Sequence, residues 1–151
     1  MMRAVRVNAV LGLALMMLGF ACATAEAAAP VGIEPMQAIF LAADAQGAPV
    51  AGNFVLQVNN VARSRRVYLN SERDYRDQRN VSVVMTQAVA ADVERFLGRP
   101  LEAALEGRCA LVVDGQARRT RVDFSYAGRP SGKYYYRTQI TVRDASQVQL
   151  C

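Results

Sequence analysis

The stretch Val61–Thr86, VARSRRVYLNSERDYRDQRNVSVVMT, decides how this chain folds. Arg65–Asn70 alternates, with Val67 and Leu69 on one face and Arg66, Tyr68 and Asn70 on the other. Asn80–Thr86 alternates again, with Val81, Val83 and Met85 in phase. Period-two alternation marks a half-buried strand. Between them, SERDYRDQR is too charged for a core and rich in turn formers. Two strands joined by a charged turn thus turn an Arg/Tyr face away from the core.

Working outward, Pro35–Ala45 places Met36, Ile39, Phe40 and Ala43 at the spacing of one helical face, with Pro35 in the first turn and Gly47 as the stop. That stripe is expected to be packing. Ala48–Ala62 reads as the first strand, with Phe54, Leu56 and Val58 on one face and a bulge or bend at Gly52. After Thr86 the period changes. Val89, Val93, Phe96 and Leu97 line one side of a helix over Ala88–Leu97, capped by Thr86 and stopped by Gly98. Leu101–Glu106 adds one turn. Cys109–Val113 begins another strand. Asp114-Gly115 is then either a hairpin turn or a glycine kink in one strand running to Tyr126. Ala127–Gly132 (AGRPSG) is the stronger turn signal. Lys133–Val142 is the last long strand, and Ala145–Leu150 finishes it.

The N-terminus is read as a leader. Arg3 and Arg6 precede an apolar run, Val10–Ala23, and small residues ending Ala27-Ala28-Ala29-Pro30. This is the three-part pattern of a secretory signal peptide over residues 1–29, with cleavage between Ala25 and Pro30. The apolar run is short of the roughly 20 residues a membrane span needs. Lipidation at Cys22 fits poorly: in Leu18-Gly19-Phe20-Ala21 a glycine stands where leucine is expected and phenylalanine where a small residue is expected. No second apolar stretch follows, so residues 30–151 are expected to form one soluble, exported, periplasmic or secreted domain that does not span the membrane. The whole chain carries a net charge of +5. Losing Arg3, Arg6 and Glu26 with the leader leaves it basic, with Lys133 as its sole lysine. Between Arg118 and Arg143 every charged residue except Asp123 is basic, a positive field suited to polyanions or to plain solvation.

Five strands with a helix between the third and fourth, after a short N-terminal helix, is the order of a mainly β, five-stranded Greek-key barrel. From Gly47 to Leu150 the chain resembles OB-fold (oligonucleotide/oligosaccharide-binding) domains of the small exported bacterial type. The residues carrying the resemblance are VYLNSERDYRDQRNVSVVM (Val67–Met85) and YYRTQITVRDASQVQL (Tyr135–Leu150). The basic stretch Ala117–Tyr136, with three consecutive tyrosines, exceeds the minimal pattern.

The resemblance implies a binding surface on the second and third strands, flanked by the loops between strands one and two and strands four and five. Those positions offer Arg63, Arg65, Arg66, Tyr68, Tyr75 and Arg76, then Arg129, Lys133, Tyr134 and Tyr136 from the last hairpin. Interleaved arginine and tyrosine suit single-stranded nucleic acid, which needs cations for phosphates and aromatic planes for bases. The same tyrosines also pack well as plain strand residues, and alternation separates Tyr135 from Tyr134 and Tyr136. The other expected partner class is an envelope protein or a glycan.

Catalysis is not expected, and neither a metal nor a cofactor is called for. Histidine is absent from the sequence, removing the commonest general base and metal ligand. Glu72, Asp74 and Asp77 cluster in one turn, but Arg73, Arg76 and Arg79 alternate with them, which favours a solvated ion-pair network over a cation site. Loss of Cys22 with the leader leaves Cys109 and Cys151, and export permits a disulfide. If the last two strands pair about a turn centred near Pro130, the two cysteines fall opposite each other. Such a bridge is worth about 4 kcal/mol on the loop-entropy account. A reversal at Asp114-Gly115 undoes that register.

Overall fold

The computed structural model describes residues 31–107 and 110–150. The expected leader and the expected Cys109–Cys151 bridge lie outside the described residues. The elements run α1 (Pro35–Asp44), β1 (Val50–Gln57), β2 (Asn60–Arg63), β3 (Arg66–Asn70), β4 (Val81–Thr86), α2 (Gln87–Leu97), α3 (Leu101–Leu105), β5 (Ala110–Tyr126) and β6 (Arg129–Thr141). A short 3-10 turn (Ala145–Gln147) leads into β7 (Val148–Leu150). The protein is mainly β, a curled sheet in the order β1-β5-β6-β4-β3-β2, with β7 alongside β5. Its two edge strands, β1 and β2, are separated in sequence only by Val58 and Asn59. No described helix is long and apolar enough to cross a membrane.

Alternation fills the inside of the sheet. Phe54 and Leu56, Val67 and Leu69, Val81, Val83 and Met85, Leu111 and Val113, and Ile140 are all buried in one cluster. Ala90, Val93, Leu101, Ala104 and Leu105 join them from α2 and α3. Thr86 caps α2 by accepting a hydrogen bond from the Val89 N–H at 3.2 Å, and Gly98 in the left-handed conformation ends it.

Two helical faces differ from the expected stripes. On α1 the buried residues are Ala38 and Ala42, while Phe40 is 64% exposed and Met36 45%. The helix rests its alanine side on the sheet, where short side chains allow close approach. On α2, Phe96 is 83% exposed although Val93, in the same expected stripe, is buried. Such differences in exposure within one apolar stripe are a packing outcome that spacing does not encode.

The alternatives at Asp114-Gly115 resolve in favour of one continuous strand. Gly115 lies opposite Gly52 across β1 and β5, in unbroken register, so the bulge expected at Gly52 is absent. Both glycines mark close approach. A Cβ on Gly115 would sit 2.9 Å from Ile140 Cγ2, and one on Gly52 2.6 Å from Ile33 Cδ1.

The last turn is tighter than expected. Ala127 and Gly128 carry φ of +49° and +74°, the paired positive values that a two-residue hairpin turn requires. Strand β6 therefore starts at Arg129, not Lys133. Nor does the chain continue straight from Val142. The Asp144 side chain accepts a hydrogen bond from the Ser146 N–H at 2.8 Å, and Gln147 Oε1 accepts one from the Asp144 N–H at 3.1 Å. This local capping interrupts the strand, and β7 resumes against Leu111–Val113 of β5.

β5 pairs with β1 only up to Ala117, and β6 pairs with β4 only from Thr138 onward. Residues 118–126 and 129–137 thus form a two-stranded arm that extends past the rest of the sheet.

Candidate ligand-binding face

With Val67, Leu69, Val81, Val83 and Ile140 committed to the core, their neighbours must face outward. Register joins them into rows across the strands. Tyr68 lies opposite Val84, which lies opposite Thr141; Asn70, Ser82, Gln139 and Arg118 form the next row. The loop 71–80 folds onto this outer face and bounds a cleft of about 400 Å³, lined by Tyr68, Tyr75, Ser64, Arg137 and Gln139 among others. Arg137 Nε is buried and has no hydrogen-bond partner among the described residues.

The loop is held by a buried amide. Asn80 Nδ2 donates to Ser82 Oγ at 3.0 Å, to Asn70 Oδ1 at 3.3 Å and to the Tyr75 carbonyl at 3.3 Å. Its Oδ1 accepts from the Glu72 N–H at 3.1 Å. Ser82 Oγ in turn donates to Asn70 Oδ1 at 2.7 Å, and Asn70 Nδ2 donates to Asn60 Oδ1 at 3.1 Å. Buried polar groups carry a penalty unless bonded, so this network specifies where Tyr75 sits.

The charged turn is built from two repeated units. Asp74 accepts from the backbone N–H and the guanidinium of Arg76, and Asp77 does the same with Arg79. The side-chain bond from Arg79 holds the Asp77 carboxyl down at about 2, and the bond from Arg76 lowers that of Asp74. Arg76 also lies 5.7 Å from the centroid of the Tyr75 ring. Arg76 is thus spent on its own turn, while Tyr75, 58% exposed, is free to offer its ring.

Arg63 is spent likewise. Its Nε donates to Glu102 Oε1 at 2.7 Å and its Nη2 to Glu102 Oε2 at 3.1 Å, while Glu94 takes a further bond from Nη2. Hydrogen bonding to Glu102 raises the Arg63 pKa and lowers that of Glu102. Glu94 Oε1 also accepts from the Leu101 N–H at 3.0 Å, at the start of α3. Arg63 therefore clamps edge strand β2 to α2 and α3. Arg66, one strand over, is exposed and belongs to no ion pair among the described residues.

The arm divides the remaining residues between two faces. Alternation from buried Ile140 puts Tyr136 and Tyr134 on the core side of the sheet, beyond the end of the core, where they are 41% and 50% exposed. Tyr68 and Arg66 are on the opposite side, so the expected single Arg/Tyr face is two faces. On the core side the guanidinium of Arg119 lies 3.8 Å from the Tyr136 centroid and that of Arg121 lies 4.0 Å from Tyr134. The two rings meet edge to face at 5.7 Å. Each is a diagonal cross-strand pair, since Arg121 lies opposite Tyr136 and Asp123 opposite Tyr134. On the outer side Tyr135 packs against Phe124, with centroids 5.3 Å apart. Arg129 and Lys133 lie exposed near the tip, and Ser131 Oγ donates to the Phe124 carbonyl at 2.8 Å.

Arg137 and Gln139 are the site residues that sequence reasoning missed. Half of the signal was present: once Ile140 is taken as core, alternation sends Gln139, Arg137 and Tyr135 outward, but only the β4–β6 register sets Gln139 beside Ser82. What hid it was the conspicuous run Tyr134–Tyr136, whose outermost members belong to the other face. No protein-family model, curated protein or solved structure matches the chain, so the geometry stands without a relative beside it.

Proposed function

We propose that this chain is an exported, non-catalytic binding protein of the OB class that takes single-stranded nucleic acid on the outer face of β3, β4 and β6. The observation that carries the reading is the cleft between Tyr68 and Tyr75, with Arg137 Nε, unpartnered among the described residues, in its wall. Two aromatic side chains, one of them on a loop held by a buried amide network, and a guanidinium are the parts that stacking a base and pairing a phosphate require.

The barrel reading is supported by connectivity. Taken together across Val58 and Asn59, β1 and β2 serve as one strand that pairs with β5 at one end and with β3 at the other. With β7 set aside, five strands remain, and α2 lies between the third and fourth, as in an OB barrel. The binding strands are then β3 and β4. Export rests on the leader over residues 1–29.

Fluorescence anisotropy with labelled oligothymidylate and oligouridylate at two salt concentrations tests the proposal. Affinity should fall steeply with salt, with a slope of about 0.7 per phosphate contact. Tyr68→Ala should weaken binding by about 1–3 kcal/mol for each base it stacks. Absence of binding at low salt overturns the nucleic-acid reading. A salt-independent ligand recovered from envelope extract points instead to a glycan or an envelope protein in the same cleft.

A further inference from the structure

A second concavity, of about 500 Å³, adjoins the first on the outer face, between β1, β5 and β6. Arg118, Arg143, Thr120, Thr141, Gln139 and Asp114 line it. Gln139 lines both clefts, and register explains why: it lies opposite Ser82 on β4 and opposite Arg118 on β5. The two are therefore halves of one trough running across the strands. Along one row, from Asn70 on β3 to Arg118 on β5 is three strand spacings, about 14 Å.

The halves differ in chemistry. The Tyr68 half offers rings. The Arg118 half offers two exposed guanidiniums, two hydroxyls and three side-chain amides, against the one carboxylate of Asp114. Neither Arg118 nor Arg143 belongs to an ion pair among the described residues. Arg143 is held in place from below. Gln147 Oε1 accepts from the Arg143 N–H at 2.7 Å, and Gln147 Nε2 donates to the Asp114 carbonyl at 2.7 Å, tying the segment after β6 to β5.

We infer that the Arg118–Arg143 cleft is the phosphate half of the binding site. A strand whose base lies against Tyr68 and Tyr75 continues past Gln139 and sets a following phosphate between the two guanidiniums. This rests on the nucleic-acid reading above and adds a direction to it: the ligand crosses the strands towards β1 and does not run out along the arm.

The test compares wild type, Arg118→Gln, Arg143→Gln, their double variant and Tyr68→Ala, with labelled oligothymidylate across a salt series. Both arginines are exposed, and each single variant is read in the same way as the double. Each arginine change should weaken binding about ten-fold at low salt, as loss of a charged hydrogen bond does. The double variant should flatten the salt slope by about 0.7, the share of the one phosphate the pair holds. Tyr68→Ala should weaken binding with its slope intact. A double variant with the wild-type slope overturns the inference while leaving the nucleic-acid reading in place. Wild type that binds no oligonucleotide removes both. Inorganic polyphosphate separates the remaining source: competition as strong as the oligonucleotide's, untouched by Tyr68→Ala, makes the cleft a bare phosphate site and overturns the joined trough.

Discussion

Replacing Asn80 should loosen the face on which binding is proposed, by an amount the hydrogen bonds allow one to work out. In Asn80→Ala, the Glu72 N–H and the Tyr75 carbonyl lose their side-chain partner, and Asn70 Oδ1 keeps only Ser82. Each lost bond is worth about 1 kcal/mol net, and the two main-chain groups, being part-buried, recover some of this from water. A loss of about 2 kcal/mol in unfolding free energy is expected. Asn80→Asp is more revealing. It preserves the Oδ1 acceptor but turns the donor that faces Asn70 Oδ1 and the Tyr75 carbonyl, each at 3.3 Å, into a second acceptor. The position is 4% exposed, so an ionised carboxyl there is both desolvated and opposed by oxygen. Its folded pKa is thus raised. A raised carboxyl pKa means that the native state holds the proton more tightly, so stability falls as pH rises from the ordinary carboxyl range through the folded value. Urea denaturation near neutral pH and near pH 5, each against wild type, should show Asn80→Asp less stable than Asn80→Ala at the higher pH and partly rescued at the lower. Hydrogen exchange should show faster exchange across residues 71–80 in both variants. If Asn80→Ala unfolds within about 0.5 kcal/mol of wild type, or Asn80→Asp lacks the pH dependence, the network does not hold the loop.

Three further outcomes follow from other parts of the fold. Arg63→Gln should cost about 1 kcal/mol in urea denaturation, a modest figure because the Arg63–Glu102 pair is more than a third exposed. It should leave oligonucleotide affinity within about two-fold; a large loss of affinity in a folded variant would place Arg63 in the site. Gly115→Ala should destabilise by about 1–3 kcal/mol, because its Cβ would press on Ile140 at 2.9 Å; a thermal scan that shows no change would mean the strand can give way there. Finally, the carboxyls of Asp77, Asp74 and Glu102 are all lowered by arginine partners. Their contribution should be fully present above the ordinary carboxyl range of about 4 and be lost as pH falls from there towards 2. Denaturation midpoints measured across that range in Asp77→Asn should decline less than those of wild type.

Sequence alone determined where the helices and most of the strands lie and the two-sided polarity of the strands. The strand alternation of Val67–Leu69 and Val81–Met85, the caps at Thr86 and Gly98, and the ion pairing within SERDYRDQR are local consequences of side-chain period, capping chemistry and two-residue spacing. Each depends on residues within a turn or two of one another. Tertiary structure alone decided which partner each side chain meets. Arg63 looks like a free cation until α2 and α3 bring Glu94 and Glu102 to it from 31 and 39 residues away. The apolar stripe of α1 reads as core until the sheet accepts the alanine side instead. Tyr68 and Tyr134 look like members of one surface until register from Ile140 assigns them to opposite faces. Arg137 and Arg118 look like scattered charges until β4 runs parallel to β6 and β5 pairs on its other edge. Alternation tells each strand which residues share a side, but relating those sides between strands requires the register, and register is fixed by contacts far apart in the chain.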